Sequence, residues 1–238
     1  TRRGLIAGTR LTEYGRKVEV LPVDRPWGEL LVNADEHLIP LVATCASIES
    51  LHRMTRQERY IQQYVVPGSD HLTAYRLYEA ALRDCGTLGK VYGLPRHVFE
   101  SEPLQEWADE RGVLVRSIED AALALASIYR ALDLPLPRYL PRLNRPLIED
   151  WQRLLARVMP FDLVIDEETS WGEQVRVAPT SVCGRWGVII GDIRYFADRF
   201  GRARGSIEGT QVPYELIWQY STVEDGEVVY DPGHPRAP

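Results

Sequence analysis

The sequence predicts a multi-domain α+β protein, because its apolar residues follow different patterns on either side of a proline-rich segment. Between residues 36 and 134 the apolar side chains recur at helical spacing. Residues 135–146 hold four prolines, which remove backbone donors and favour extended chain. Beyond them, short apolar runs alternate with glycines, as strands and turns do. The three observations predict a helical bundle, a linker and a β-rich domain.

The first residues of the chain predict a small hairpin followed by a helix. Two short apolar runs, at residues 5–7 and 10–11, flank a Gly-Thr pair as the strands of a hairpin would. Thr12 is a suitable N-cap, and helical spacing then continues until Pro22 ends the helix.

A stiff, charged elbow joins this helix to a second one. Pro22 closes the first helix, Asp24 is a candidate cap for the second, and Pro26 lies in its first turn. Paired short strands beside short helices are how a winged-helix module is built. Residues 1–35 are therefore predicted to form part of a winged helix.

Residues 36–140 are predicted to form an all-α bundle. Asp70 is expected to cap its central helix, and the neighbouring His71 is expected to pack or be solvated rather than to act in catalysis. Residues 86–103 are less regular, with three glycines. The helical stretches lie at residues 36–66, from Asp70 onward, at 104–111 and at 118–132.

Residues 141–232 are predicted to form a β-rich domain that begins with a helix at 147–158. Several short strands with glycine turns indicate a small barrel or sandwich. The predicted strands lie at residues 161–165, 174–178, 186–190 and 213–220. Residues 233–238 are predicted to be a disordered tail.

Charge and cysteine usage exclude some classes of protein. The chain has 238 residues and a formal net charge of −6, which argues against a protein that binds polyanions with its whole surface but allows a local basic groove. The cysteines are isolated, which predicts buried free thiols and neither a zinc site nor a disulfide framework. No apolar run reaches the length that spans a bilayer and no signal peptide is visible, so a soluble, cytoplasmic protein is expected.

The sequence contains no recognisable catalytic motif. It lacks the GxxxxGK[ST] loop that cradles nucleotide phosphates, and it lacks a DEAH-like acidic run. Its histidines are scattered, and the acidic run at 166–168 is more typical of a solvated loop than of a metal site. We therefore predict no catalytic residue, no metal site and no cofactor within this chain.

One local cluster could bind nucleic acid. The stretch RYFADRFGRARG interleaves arginines with aromatic residues, and arginines follow phosphates while aromatic rings stack on bases. The alternative is a turn between strands whose aromatics face the core and whose arginines pair with Asp192 and Asp198. The candidate contacts are Arg194, Tyr195, Arg199, Phe200, Arg202 and Arg204.

A second, weaker basic cluster lies in LHRMTRQERY. Arg53, Arg56 and Arg59 are spaced to mark one flank of a helix, which is most often a solvated face. Arg56 and Arg59 are retained as candidate nucleic-acid contacts.

Three motifs, in order, resemble the helicase-associated region that follows the motor lobes of DEAH/RHA-type ATP-dependent helicases. RLTEYGRKVEVLPVDRPWGELLVNA resembles the family's Leu-Thr, Gly-Arg, Leu-Pro and Leu-Leu signature. GSDHLTAYRLYEAA resembles the start of its ratchet helix, and LQEWADERGV with IEDAALALASIYRAL resembles its last two bundle helices. The resemblance covers residues 5–134, and the remainder corresponds only by position to an oligonucleotide/oligosaccharide-binding (OB) barrel.

The resemblance implies an accessory C-terminal region that guides single-stranded RNA or DNA past motor lobes lying upstream in the same polypeptide. ATP and Mg²⁺ would bind those lobes. The elbow formed by Pro22, Asp24 and Pro26 would pass motor movement on as rigid-body displacement. Two alternatives stay open: a stand-alone winged-helix regulator that binds nucleic acid, and a protein-interaction module with a partner at the C-terminal domain.

Overall fold

The computed structural model describes residues 3–8, 10–224 and 227–230, with side chains described as far as residue 221. Its architecture is mixed α/β, with the helices packed together and against a curled five-stranded sheet. The predicted tail at 233–238 lies outside the described residues.

The predicted hairpin and the two helices around the elbow are present. The Thr12 hydroxyl accepts a hydrogen bond from the Gly15 backbone at 2.9 Å, as a capping residue does. Asp24 also occupies the N-cap position of its helix, but its side chain makes no capping hydrogen bond, so its predicted capping role is wrong. The elements are β1 (Ile6–Ala7), β2 (Arg10–Leu11), α1 (Glu13–Glu19) and α2 (Arg25–Asn33).

The elbow is tied down by a buried residue at each end. Leu21, just before Pro22, is buried. Pro26 lies in the first turn of α2, as expected. The buried carboxylate of Glu29 on α2 forms salt bridges with Arg25 and with Arg3, and Arg3 also donates to the carbonyl oxygens of residues 158 and 159. The elbow is therefore fixed to the C-terminal half of the chain.

The helical bundle forms, but residues 36–66 are not helical throughout. The α-helix ends at Met54, and only a 3₁₀ turn follows, at Gln62–Tyr64. The residues between them pair with a distant segment: Arg56 donates its backbone N–H to the Gly112 carbonyl at 2.7 Å, and Tyr60 donates to Arg111 at 3.0 Å. Tertiary pairing has overridden the local pattern. The bundle helices are α3 (Ile39–Ser47), α4 (Leu51–Met54), α5 (Asp70–Cys85), α6 (Ser101–Arg111) and α7 (Val115–Ala131).

The bundle also contains a β-hairpin, so the all-α prediction is wrong for residues 86–99. Strands β3 (Gly86–Val91) and β4 (Leu94–Phe99) pair antiparallel and join at Tyr92-Gly93, both of which have positive φ. Two such residues make the tight turn that matches strand twist. Strand β4 packs on α7.

The proline-rich segment is ordered and packs against the bundle. Leu136 and Leu140 are buried, and the Tyr75 hydroxyl donates to the Pro141 carbonyl at 2.6 Å. The segment is extended, as its prolines predict, but the hydrogen bond from Tyr75 holds it against α5.

The C-terminal part consists of one long helix and a curled five-stranded sheet. The elements are α8 (Arg145–Val158), β5 (Asp162–Ile165), β6 (Glu168–Thr169), β7 (Val175–Val177), β8 (Val188–Ala197), β9 (Ala203–Val212), α9 (Tyr214–Gln219), β10 (Ser221–Glu224) and β11 (Glu227–Tyr230). The strand order in the sheet is β6-β5-β8-β9-β7.

The strand prediction for residues 213–220 is wrong, because most of them form helix α9, whose buried Ile217 packs towards α8. A short apolar run does not distinguish a strand from a helix.

One hydrophobic core crosses all three predicted domains, from Leu21 to Tyr220. At its centre Trp151 of α8 is fully buried, stacks on Trp27 of α2 with ring centroids 6.3 Å apart, and meets His71 of α5 edge-on at 5.7 Å. Of the two expectations for His71, packing or solvation, the structure shows packing.

Candidate nucleic-acid interface

The basic and aromatic stretch forms the end of a long β-hairpin. Strands β8 and β9 pair antiparallel from Val188 opposite Val212 to Ala197 opposite Ala203. The half of the hairpin near the strand ends at 188 and 212 is buried, and the half that carries the candidate residues is largely exposed. The hairpin therefore projects from the core with its tip in solvent.

The tip is held in one conformation by Asp198. Its carboxylate accepts hydrogen bonds from the backbone N–H groups of Phe200, at 2.8 Å, and of Arg202, at 2.9 Å. Gly201 has a φ of 74°, which glycine adopts without strain. The backbone hydrogen bonds hold the pKa of Asp198 below its usual value, so the carboxylate stays ionised. The turn is pre-organised by the chain itself.

The aromatic side chains of the hairpin face solvent, not the core. Tyr195 is 57% exposed, Phe196 54% and Phe200 65%. The Tyr195 hydroxyl donates to the Glu173 carboxylate at 2.9 Å, which fixes the orientation of its ring. The alternative in which these rings pack inside the domain is wrong, and exposed rings on a fixed turn are available for stacking.

The four arginines of the hairpin differ in what they contact. Arg202 and Arg204 lie 3.6 Å and 3.3 Å from the Asp198 carboxylate. Two of the four arginines therefore pair with an aspartate, as the alternative predicts. Arg194 donates to the Ser50 hydroxyl at 3.0 Å. Arg199 forms no salt bridge within the described part of the chain and lies over the Phe200 ring at 4.8 Å. Arg199 is therefore the cation most available to a phosphate.

Two further acidic residues lie where the hairpin meets the core. Asp192 and Glu208 face each other across β8 and β9 and line a small cavity together with Arg194 and Asp70. Burial raises the pKa of Asp192 and of Glu208 above the ordinary carboxyl values. The carboxylate of Asp198, in contrast, is surrounded by backbone donors and two arginines, so the tip offers a phosphate the more favourable surroundings.

Arg56 and Arg59 do not join this cluster, and they do not share a helix. Arg56 forms a salt bridge with Asp109 at 2.8 Å. Arg59 is partly buried and donates to the Thr180 carbonyl and to the Thr55 hydroxyl. Arg56 ties a loop to α6 and Arg59 ties two loops together, so contact of either with nucleic acid stays a prediction and would be separate from the hairpin.

Asp70 connects the bundle to the sheet instead of capping its helix. The cap of α5 is the Ser69 hydroxyl, which accepts from the Leu72 N–H at 3.1 Å. The Asp70 carboxylate accepts hydrogen bonds across the interface, from the Ser181 hydroxyl at 2.6 Å, the Val182 N–H at 2.8 Å and the Gly209 N–H at 2.9 Å. The predicted capping role is wrong because the short side chain of Ser69 already fills it, and Asp70 anchors β9 instead.

Sequence reasoning missed two exposed tryptophans in the same half of the chain. Trp171 is 90% exposed and lies in the turn that precedes Glu173, the partner of Tyr195. Trp186 is 64% exposed and lies under the Arg185 guanidinium at 4.8 Å, before β8 begins. Each is followed directly by a glycine, which is typical of a turn. A tryptophan next to such a turn was the sequence signal that could have predicted its exposure.

No known family model matches the chain, and no curated protein is similar to it in sequence. The residues that the structure describes include no group of three or more His, Cys, Asp or Glu side chains arranged to hold a metal ion. None of the helices in the described part is long and apolar enough to cross a membrane.

Proposed function

We propose that the chain is the C-terminal accessory region of an ATP-dependent RNA or DNA helicase of the DEAH/RHA type. In this proposal residues 1–35 end a winged helix, the bundle is the ratchet, and the curled sheet is an OB-like barrel. The motor lobes, with their ATP and Mg²⁺, lie upstream. A single strand leaving those lobes passes over the tip of the β8–β9 hairpin.

The observation that carries the proposal is the exposed, pre-organised tip. Tyr195 and Phe200 offer exposed rings to bases. Arg199, which lies over the Phe200 ring and forms no salt bridge among the described residues, offers a cation to a phosphate, on a turn that Asp198 holds rigid. Rings and cations in alternation hold single strands without reading their sequence.

The fixed elbow supports a mechanical role for the N-terminal helices. Arg3 links Glu29 of α2 to the carbonyl oxygens at the end of α8, and Leu21 is buried in the common core, so displacement of the first residues would be passed on to the body of the molecule. In the full helicase, replacing Pro22 and Pro26 together by alanine should reduce unwinding while ATP turnover is retained. Equal loss of both activities would contradict a mechanical joint.

The deciding experiment measures binding of a fluorescent single-stranded RNA at low salt. Arg199→Glu with Arg202→Glu should weaken binding, and the log-log salt slope should shrink by about 0.7 for each phosphate that the variant no longer neutralises. Phe200→Ala should cost roughly 1–3 kcal/mol per stacked base with the slope unchanged. Single-stranded DNA of the same sequence, run in parallel, separates RNA from DNA preference.

Arg145→Glu is a single charge reversal away from the hairpin, matched to Arg199→Glu measured alone. Its side chain is 90% exposed and its one salt bridge, to Glu149, lies on the surface. This variant should bind as the parent chain does. If it weakens binding as much as the hairpin variants do, the effect is a change of net charge and the hairpin is not the interface.

A further inference from the structure

A second surface has a different chemistry from the hairpin tip. An open groove of about 420 Å³ lies between the β3–β4 hairpin and α7. One wall comes from the turn and the start of β4, and the other from the C-terminal half of α7 and residues 134–136. The volume lies within the range of sites that take up apolar groups.

The rim of the groove exposes large apolar side chains. Tyr92 at the hairpin turn is fully exposed, Leu94 is 45% exposed, and Leu123 on α7 is 54% exposed. Leu134, after the end of α7, is 38% exposed. Single exposed leucines are ordinary, but several around one concave surface are typical of a binding site.

Two buried polar atoms at this groove have no hydrogen-bond partner. Across the described residues, three buried side-chain atoms are unpartnered, and two of them belong to groove residues: Tyr129 Oη and Arg96 Nε. The Tyr129 side chain is 96% buried, since only 4% remains exposed. Such groups are rare in folded proteins, and two of the three belong to residues that line this groove.

The charge of the groove is opposite to that of the chain. Its 13 lining residues include two arginines and no carboxylate, although the chain has 34 acidic and 28 basic residues. Within the part that the structure describes, neither Arg96 nor Arg130 forms a salt bridge. Arg96 donates instead to the Glu119 carbonyl at 3.0 Å. The site therefore favours a ligand that carries both apolar groups and carboxylates.

We propose that this groove binds a short, acidic, amphipathic helix of a partner protein. One stripe of the helix places its apolar side chains between Tyr92, Leu94 and Leu123, which is how a helix occupies a hydrophobic groove. Carboxylates on its flank face Arg96 and Arg130. The proposal is independent of nucleic-acid binding, because the two surfaces share no residue.

The test uses the whole chain and a defined probe. The probe is a fluorescein-labelled peptide of about twelve residues with leucine along one helical stripe and glutamate elsewhere. A second peptide has lysine in place of every glutamate. We expect saturable binding of the glutamate peptide and at least tenfold weaker binding of the lysine peptide. Leu123→Glu and Arg130→Glu should each weaken binding of the glutamate peptide, the first by about tenfold.

Arg116→Glu is the matched control, since Arg116 lies on the same helix with its side chain 91% exposed and outside the groove. It should leave affinity within twofold, and circular dichroism should show that all three variants are folded. The proposal is overturned if the two peptides bind equally or if Arg116→Glu acts like Arg130→Glu. It is also overturned if sedimentation shows that a second copy of the chain fills the groove, or if laurate binds there and the peptide does not.

Discussion

The β3–β4 and β8–β9 hairpins are both exposed at their tips, and each is joined to helix α5 through a histidine of its own. His71, on α5, lies 2.9 Å from the Thr210 hydroxyl of β9. His97, on β4, accepts from the Tyr78 hydroxyl of α5 at 2.9 Å, because its other ring nitrogen donates to the Pro137 carbonyl at 2.8 Å. The attachment is similar, yet the tips differ: β8–β9 carries arginines around aromatic rings, and β3–β4 carries apolar side chains over a groove. A common scaffold can therefore present two unrelated surfaces.

The largest expected effect is loss of the β8–β9 anchor. Asp70→Ala would leave one buried and two partly buried donors without their acceptor, and we expect it to lower the free energy of unfolding by about 3 kcal/mol. Urea denaturation followed by circular dichroism measures this change. In the folded fraction RNA binding should fall while binding of the acidic peptide persists. Equal loss of both would show that the hairpins are not independent surfaces.

Acid should loosen both attachments through the histidines. Burial lowers the pKa of His71 to about 4 and also lowers the pKa of His97. Because the pKa of each histidine is lower in the folded chain, the unfolded chain takes up protons at a higher pH than the folded chain does. The free energy of unfolding therefore decreases as the pH falls from about 6.5 towards 4, by roughly 2–3 kcal/mol for His71.

Asp70 acts in the opposite direction over part of this range. Burial raises the pKa of Asp70 in the folded chain. Its contribution to stability therefore grows as the pH falls towards the pKa that Asp70 has in the unfolded chain. Urea denaturation between pH 7 and 4.5 measures the net loss, and His71→Gln should flatten the curve. An unchanged curve in that variant would show that His71 does not control the acid response.

The tip of β3–β4 should respond to substitution without any effect on RNA. Tyr92 has a φ of 49°, which strains most residues and which asparagine adopts more readily, so Tyr92→Asn should stabilise the chain by up to about 1 kcal/mol. Thermal unfolding measures the gain. RNA affinity should stay within twofold. A larger change would indicate that the RNA contacts both hairpins.

The smallest expected effect is at the elbow. Because the Asp24 side chain makes no capping hydrogen bond, Asp24→Ala should change stability by only a few tenths of a kcal/mol. Thr12→Ala, which removes a cap that does form, should cost about 1 kcal/mol and serves as the comparison. Equal effects in urea denaturation would mean that Asp24 stabilises α2 without that bond.

Local rules in the sequence determined much of the secondary structure. Helical spacing placed α5, α7 and α8, and the prolines and glycines placed the elbow and the turn at Gly201. These features follow from side-chain period and backbone restriction, which act within a few residues. The cluster between Arg194 and Arg204 could be recognised in the sequence because its residues lie within a few positions of one another.

The tertiary structure decided whatever depended on partners far along the chain. Residues 55–60 are not helical because they pair with residues 111–113. Asp70 does not cap its own helix because it accepts hydrogen bonds from donors near residues 181 and 209. Arg59 contacts Thr180, and only the fold distinguished Arg199, which forms no salt bridge among the described residues, from Arg202 and Arg204 beside Asp198. Spacing specifies which face a side chain takes, whereas burial and pairing depend on what the rest of the chain brings to that face.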